Sequence, residues 1–182
     1  ASSLHPWVAL VALVAPVWGW SGDATTTVIS VDNGGPWGDW GDPEFCPKGT
    51  YANGFQLKVG RGAVGTRWEG DGDHHVCVCP PPRSRGAWSL PMTCDPGHHV
   101  VAFRLRVEPP RGLWDDTAAN NMDVTCSDGS VLEGLGGLAG TWGNWSVPCP
   151  QGRVCGLRTR LEPPQRGGDD TGLNDLRLFC CA

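Results

Sequence analysis

Short runs of alternating apolar and polar residues recur along the chain and predict β-strands. The runs cover residues 54–59, 102–107 and 156–161, where apolar residues recur with Arg, Lys, Gln or Thr between them. A period of two is typical of a strand with one face on the core and the other in water. Further strands are expected at 122–126, 176–180 and 130–133. The pattern therefore predicts a domain built from short strands.

Composition narrows the fold class further. The chain of 182 residues contains 27 Gly and 16 Pro, and these residues interrupt every stretch long enough for a stable helix. Its ten Trp and 40% of apolar residues are incompatible with a disordered chain. A loop-rich all-β domain, large enough to bury its own core, is the class that remains.

Self-comparison reveals an internal repeat. The sequence Glu-Pro-Pro at 108–110 recurs at 162–164, Asp-Asp-Thr at 115–117 recurs at 169–171, and Cys126 corresponds to Cys180, all at one offset of 54 residues. An earlier copy opens with GGPWGDW at 34–40, which is echoed by GTWGNWS at 140–146. We therefore expect a single domain over residues 25–182 with three repeats, at about 25–86, 87–139 and 140–182.

Three units of this size cannot bury their apolar faces singly but can do so around a common axis. The expected fold is three small antiparallel sheets related by pseudo-threefold symmetry. Spacing alone is compatible with a β-prism and with a trefoil-like barrel.

Four motifs together resemble the vitelline membrane outer layer protein I family. They are GGPWGDW, the strand followed by EPPxG, the GDDTxxN block and the terminal Leu-Phe-Cys-Cys, and the resemblance covers residues 25–182. It implies a β-prism of three sheets, secretion, and a structural role in the outer layer of the egg's vitelline membrane or in other extracellular fluids. Members of the family have also been associated with weak transfer activity on N-acetylchitooligosaccharides.

The first repeat departs from the family pattern and is expected to be degenerate. After Val59 the EPPxGxxxDDTxxN block is replaced by GRGAVGTRWEGDGDHHVCVCPPPRSRG. The interval from Cys79 to Trp88 is nine positions, against sixteen from Cys126 to Trp142, so a strand's worth of sequence is expected to be missing. A diverged repeat and a sequence error both explain residues 60–86.

Residues 1–21 are expected to be a signal peptide that is incomplete at its amino terminus. The segment WVALVALVAPVWGW at 7–20 has the length of a signal-peptide apolar region and is too short to span a membrane. The alternative is a buried first strand. We expect a secreted, extracellular mature chain that begins near residue 21 and has no membrane span.

All nine cysteines follow that segment, and in a secreted chain they are expected to form disulfides, with one thiol left over. Separations near 32 residues in all three copies predict pairing within each repeat. The expected pairs are Cys94 with Cys126, Cys46 with Cys77 or Cys79, and Cys149 and Cys155 with Cys180 and Cys181 in an order left open. The remaining thiol is expected at Cys77 or Cys79.

Two carboxylate doublets, Asp115-Asp116 and Asp169-Asp170, are the candidate catalytic groups. If they met at one end of the threefold axis, mutual repulsion would raise the pKa of one and place an acid beside a base, as glycosidic bond cleavage requires. The alternative is that their side chains bond to nearby amides and fix a loop. We favour loop formation, and disfavour a calcium site because no alternating run of oxygen ligands is visible.

Five tryptophans recur before the opening cysteines of the repeats and are candidates for carbohydrate binding: Trp37, Trp40, Trp88, Trp142 and Trp145. Their rings could stack on sugars. Because they recur at the same place in each unit, packing where sheets meet is the interpretation that we favour.

The remaining polar groups predict no metal site and no cofactor. His74, His75, Cys77 and Cys79 form the densest set of soft ligands, but a tetrahedral zinc site prefers more than one residue between its cysteines. No phosphate-binding loop and no nucleophile elbow occurs in the sequence. Asn144 begins a glycosylation sequence, Asn-Trp-Ser, and its occupancy is left open.

Charge and repeat symmetry leave two functional hypotheses. The net charge is −5 and no basic run is present, which excludes nucleic acid as a partner. The first hypothesis is a secreted structural protein whose partners are extracellular matrix or egg-coat proteins and glycans. The second is a glycan-binding protein with weak N-acetylchitooligosaccharide transferase activity. We favour the first, because every candidate catalytic residue belongs to the repeat, whereas an enzyme is expected to break that symmetry.

Overall fold

The structure, a computed structural model, describes residues 26–60, 63–70, 76–78, 87–109, 119–150, 152–161 and 172–182, which contain strands and no helix. The strands are β1 Thr27–Ser30, β2 Asp39–Trp40, β3 Glu44–Phe45, β4 Ala52–Gly60, β5 Ala63–Gly70, β6 Val76–Val78, β7 Ala87–Trp88, β8 Met92–Thr93, β9 Val100–Val107, β10 Ala119–Cys126, β11 Val131–Leu132, β12 Thr141–Trp142, β13 Arg153–Leu161 and β14 Leu173–Cys181. The alternating runs lie in β4, β9 and β13, as predicted.

The strands form three antiparallel sheets of related order. The first sheet is β6-β5-β4-β7 with β8 beside β4, the second is β11-β10-β9-β12, and the third is β1-β14-β13-β2 with β3 beside β13. Each sheet has a long central hairpin flanked by short outer strands. Three separate sheets, rather than one closed barrel, form the faces of a prism.

The sheets do not coincide with the sequence repeats. We call β2, β7 and β12, the short strands that contain Trp40, Trp88 and Trp142, the tryptophan strands. Each lies near the start of a repeat. However, β7 pairs with β4 and β12 pairs with β9, and both partners belong to the preceding repeat. In the first repeat, β2 pairs with β13, and β1 pairs with β14. The amino-terminal segment therefore completes the sheet made by the carboxyl-terminal unit, which closes the threefold arrangement.

One shared core lies between the three sheets. Its inward residues occupy equivalent positions of the first long strand in each sheet, as shown by Phe55, Phe103 and Leu157, which are 0%, 0% and 2% exposed. Ile29 of β1 joins the same cluster. Burial of large side chains from every sheet at one axis is what no single repeat could achieve.

A β-bulge near the start of the first long strand recurs in all three sheets. In each case the carbonyl of the bulged residue accepts a hydrogen bond from the backbone N–H of the cysteine that opens a repeat. The three bonds are Cys94 N to Asn53 O at 2.7 Å, Cys149 N to Val101 O at 2.8 Å, and Cys46 N to Cys155 O at 2.8 Å.

The first sheet keeps the full strand order despite its divergent sequence. β4 ends at Gly60 and β5 begins at Ala63, whereas residues 108–118 and 162–172 separate the corresponding strands of the other two sheets. β6 lies beside β5 in the place that β11 and β1 take elsewhere. The expectation that a strand's worth of sequence is missing is therefore wrong: the long connection between the two central strands is what the first repeat lacks.

Three disulfides lie among the described residues. Cys94–Cys126 has the expected pairing, and Cys149–Cys180 and Cys155–Cys181 resolve the order that the sequence left open. Cys46 is also disulfide-bonded. Of its expected partners, Cys79 and the side chain of Cys77 lie outside the described part of the chain.

The expected signal peptide, residues 1–21, also lies outside the described residues. Within the described ranges, no helix has the length and apolar character needed to cross a bilayer.

Candidate functional site

The acidic doublets predicted as catalytic candidates fall in segments that the structure does not describe. Asp115, Asp116, Asp169 and Asp170 belong to 110–118 and 162–171, and His74, His75 and Cys79 likewise lie outside the described residues. In the part of the chain that is described, no group of three or more His, Cys, Asp or Glu could hold a metal ion.

The five candidate tryptophans lie outside the core clusters of the described residues. Trp37 is 47% exposed and Trp145 is 38% exposed, and Trp40, Trp88 and Trp142 are half-buried. Strand register explains this position. Each tryptophan strand places its indole opposite a basic residue that alternates with core residues and therefore faces outward.

The pairing of an indole with a cation is the same on all three sheets. In each tryptophan strand, the indole lies within cation–π range of the Lys or Arg that is its register partner on the neighbouring strand. The distances from cation to ring centroid are 5.9 Å for Lys58 and Trp88, 5.9 Å for Arg106 and Trp142, and 6.0 Å for Arg160 and Trp40.

Two glycines orient the arginines of these pairs. Gly38 and Gly140 have φ of 79° and 85°, a conformation that residues with a Cβ rarely adopt. Their carbonyl oxygens accept hydrogen bonds from the Nε of Arg160 and Arg106 at 2.9 Å and 3.0 Å. The glycine at this position therefore turns the chain into the tryptophan strand and fixes the guanidinium beside the indole.

The outer face of the second sheet contains an ion pair. Arg104 lies 4.5 Å from the ring of Trp142 and 4.8 Å from that of Trp145, and its Nη2 lies 2.7 Å from Oδ2 of Asp123. Asp123 is 1% exposed, and its other oxygen accepts the N–H of Gly134 at 2.9 Å. The charge can remain buried because both oxygens have donors.

The outer face of the third sheet contains three arginines around one indole. The guanidinium carbons of Arg177, Arg158 and Arg160 lie 4.4, 5.6 and 6.0 Å from the ring centroid of Trp40. We call these three side chains with Trp40 the arginine face. The sequence indicated only that this strand face is wet, because the neighbours across the strand are set by pairing.

A cleft of about 220 Å³ lies between the first loop and the second sheet. Its lining consists of Asn33, Gly34, Gly35, Pro36, Val107, Glu108, Pro109 and Thr141, so it joins the GGP and EPP motifs. Nδ2 of Asn33 donates to the carbonyl of Leu105 at 3.0 Å. Among the residues that the structure describes, the buried Oδ1 of Asn33 has no hydrogen-bond partner.

The glycosylation candidate Asn144 is exposed, and its Nδ2 donates to Asp32 at 3.2 Å. Ser146 of the same sequence is 6% exposed, and its Oγ accepts the N–H of Phe103 at 3.2 Å. The Asn side chain is accessible in the folded protein, and its occupancy stays a prediction for mass spectrometry.

The chain matches the family model of vitelline membrane outer layer protein I over residues 27–71 and 74–182. It is 48% identical over 170 residues to the vitelline membrane outer layer protein 1 homolog of Homo sapiens, a match that covers 86% of this chain and 83% of the relative. The homolog of Mus musculus is 44% identical over 170 residues and is matched over 84% of its length, again with 86% of this chain.

Several solved lectins share the fold. A mannose-binding lectin from Champedak has a TM-score of 0.58 at 14% identity, covering 87% of this chain and 99% of the lectin. A mannose-specific jacalin-related lectin from Morus nigra, solved in complex with mannose, has a TM-score of 0.57 at 17% identity, covering 89% and 98%. Jacalin-related lectins are β-prisms, so the predicted β-prism is confirmed.

Proposed function

The chain belongs to the vitelline membrane outer layer protein I family, and from this premise we propose that it is secreted and acts as a structural component of the egg's outer vitelline layer or a related extracellular matrix or fluid. Its partners in this role are matrix or egg-coat proteins. The disulfide set is the observation that carries the proposal.

Disulfides support secretion and a lasting structural role together. Cys94–Cys126 and Cys149–Cys180 cross-link equivalent places in two repeats, and Cys155–Cys181 adds a second link to the third. Bonds of this kind persist in oxidising compartments. Each closes a loop of about 30 residues, which stabilises the fold by roughly 3–4 kcal/mol in the loop-entropy model. Such cross-links keep an extracellular protein folded where no chaperones are present to refold it.

Localisation and assembly test the proposal. An antibody against the folded chain, applied to tissue that expresses it, should label an extracellular layer or fluid, and label confined to the cell interior would contradict secretion. The purified oxidised chain should sediment with isolated egg outer-layer fibres. The matched control is the same chain reduced and alkylated, which should not sediment specifically.

Glycan binding with weak transfer on N-acetylchitooligosaccharides is the second candidate function. The cleft between the GGP and EPP motifs favours it, because small ligands bind in clefts that combine apolar walls with a few polar groups. Glycan binding is also supported by the fold that the chain shares with a mannose-binding lectin and a mannose-specific jacalin-related lectin.

The acidic doublets separate binding from catalysis. We expect the double variant Asp115→Asn/Asp116→Asn to lose a modest amount of stability and to bind chitohexaose as the parent does, because Asn keeps the acceptors that fix a loop. The variant Asp169→Asn/Asp170→Asn is the symmetry-matched control. If either folded variant lost a transferase activity measurable in the parent, the doublets would be an acid/base centre, because an amide cannot carry the transferred proton.

A further inference from the structure

Equivalent outward positions on the three sheets carry different charges. On the first long strands, these positions hold Gln56 and Lys58 in the first sheet, Arg104 and Arg106 in the second, and Arg158 and Arg160 in the third. Across the hairpin, the 54-residue offset makes Asp123 of the second sheet the counterpart of Arg177 in the third. The third sheet alone has arginine at both of its first-strand positions and across from them.

Strand register places two of these arginines directly opposite each other. Arg158 pairs with Arg177, whereas Arg104 pairs with Asp123 at the same place in the second sheet. Opposite charges across a strand pair stabilise a sheet and like charges destabilise it. Folding alone therefore favours the arrangement of the second sheet, and the third sheet departs from it.

Among the residues that the structure describes, no carboxylate forms an ion pair with the arginine face. Asp175 is the registered partner of Arg160, but its Oδ1 accepts the N–H of Leu176 at 2.8 Å. Asp39 and Asp42 flank Trp40 in sequence and are exposed. Within the described ranges, Arg104 and Asp123 form the one ion pair whose nitrogen and oxygen atoms lie within 4.0 Å of each other. None of these three carboxylates is therefore ion-paired with the arginine face.

Two guanidinium groups of the arginine face are held by backbone hydrogen bonds and still have N–H donors for a ligand. Nε of Arg158 donates to Gly41 O at 2.6 Å and Nε of Arg160 donates to Gly38 O at 2.9 Å. The terminal Nη groups of both have no acceptor in the described part of the chain, and Arg177 is exposed beside the ring of Trp40. Such pre-oriented guanidinium donors match the oxygens of a sulfate or a carboxylate.

We propose that the arginine face binds an anionic saccharide, a pyranose that bears a sulfate or a carboxylate, through Arg158, Arg160 and Arg177. The inference rests on the glycan-binding candidate function and names its ligand class and its site. Trp40, half-buried among the three guanidinium groups, offers an apolar ring surface for the sugar. The net charge of −5 disfavours nucleic acid, whereas a local cluster of three arginines suits a short anionic chain.

A charge swap tests the site in the full disulfide-bonded chain. Arg177→Asp recreates the opposite-charge pair of the second sheet, so the variant should fold with unchanged or higher stability. Its affinity for a sulfated hexasaccharide, measured by titration calorimetry at low salt, should fall about tenfold or more. The control Arg153→Asp makes the same change in net charge roughly 16 Å along the strand from Arg158, at a side chain that contacts Tyr51, and its affinity should change by less than about threefold.

Three probes distinguish the ligand sources and the ways in which the inference fails. Tighter binding of a sulfated hexasaccharide or of an unsulfated uronate hexasaccharide, lost in Arg177→Asp, supports the site and identifies the anionic group. Equal losses in Arg177→Asp and Arg153→Asp would show unspecific charge attraction and overturn it. Binding of neutral chitohexaose alone, unchanged in Arg177→Asp, would also overturn it while glycan binding stands. If the chain bound anionic lipid vesicles in an Arg177-dependent way but bound no saccharide, the proposal would be overturned in favour of a membrane surface.

Discussion

At the scale of single residues, two carboxylates on equivalent sheets show how the surroundings decide the behaviour of a charge. Asp123 is buried beneath Arg104 and accepts three hydrogen bonds, from Arg104 Nε and Nη2 and from Gly134 N–H. Asp175 is half-buried, and burial raises its pKa although Arg177 and Arg160 attract the charged form. The first carboxylate has an arginine within hydrogen-bond distance, whereas the second is attracted by two arginines that form no ion pair with it in the described part of the chain.

We predict that Asp175→Asn gains stability relative to the parent as pH rises. A carboxyl whose folded pKa lies above its unfolded value binds its proton more tightly in the folded state, so the parent loses stability as pH rises through that interval. Asn keeps the acceptor for the N–H of Leu176 but has no charge. The difference in unfolding free energy between variant and parent should therefore move in favour of the variant between about pH 3 and pH 7 in urea titrations.

Asp128→Asn provides a control of opposite sign. The hydrogen bonds from Ser130, first from its side chain and then from its backbone, lower the pKa of Asp128. Its contribution to stability is therefore present above the unfolded pKa and is lost as pH falls. As pH rises, Asp128→Asn should lose stability relative to the parent in the interval just below the unfolded pKa of an Asp, whereas Asp175→Asn should gain it in the interval above that pKa. The same sign for both variants would contradict the assignment for Asp175.

At the scale of elements, the turns that lead into the tryptophan strands are conformationally demanding. Gly140 has φ of 85°, and a Cβ at this position would collide with the carbonyl of Val107. By comparison, Gly129 in the turn between β10 and β11 has φ of 86°, with nothing within 4 Å of its Cβ position. Comparing the two glycines therefore separates the energetic cost of a positive φ from the cost of a steric clash at the Cβ.

We predict a clear difference in stability between an alanine variant of the turn before β12 and one of the turn between β10 and β11. Gly129→Ala should lower the unfolding free energy by about 1 kcal/mol, because a Cβ disfavours positive φ. Gly140→Ala should cost roughly 3 kcal/mol, because the Cβ also forces the β12 turn away from β9. Denaturant titrations measure both values, and equal losses would show that space around Gly140 plays no part.

At the scale of the whole molecule, closure of the prism depends on the two ends of the described chain. β1 pairs with β14 through four residues, with Ile29 opposite Leu178, and Ile29 is 1% exposed in the shared core. Without β1, the edge of β14 and part of the core would meet solvent.

Two truncations test this closure. Removal of residues 1–25 should leave a folded monomer, whereas removal of residues 1–31 should give aggregation or a loss of cooperative unfolding, seen by size-exclusion chromatography and thermal melts. Ile29→Ala in the full chain separates core packing from strand pairing and should cost about 2–5 kcal/mol. A cooperative, monomeric chain after removal of 1–31 would show that β1 is dispensable.

The sequence by itself determined the strands, the threefold repeat and the family. Alternation of apolar and polar side chains is a local property, because neighbouring residues on a strand face opposite sides, so the runs at 54–59, 102–107 and 156–161 were readable without any partner. The divergent first repeat shows the limit of this reading. Its sequence lost the motif between the central strands, but its strands still pair in the same order.

Only the tertiary structure decided which strand lies beside which, and this determines the surface. Pairing of each tryptophan strand with the preceding unit placed the indoles on outward arginines and lysine instead of in the core. Pairing of β13 with β14 set Arg158 against Arg177 and selected Cys149–Cys180 over the alternative order. These contacts join residues far apart in the sequence, and their energies depend on register and burial, which the order of residues along one strand does not contain.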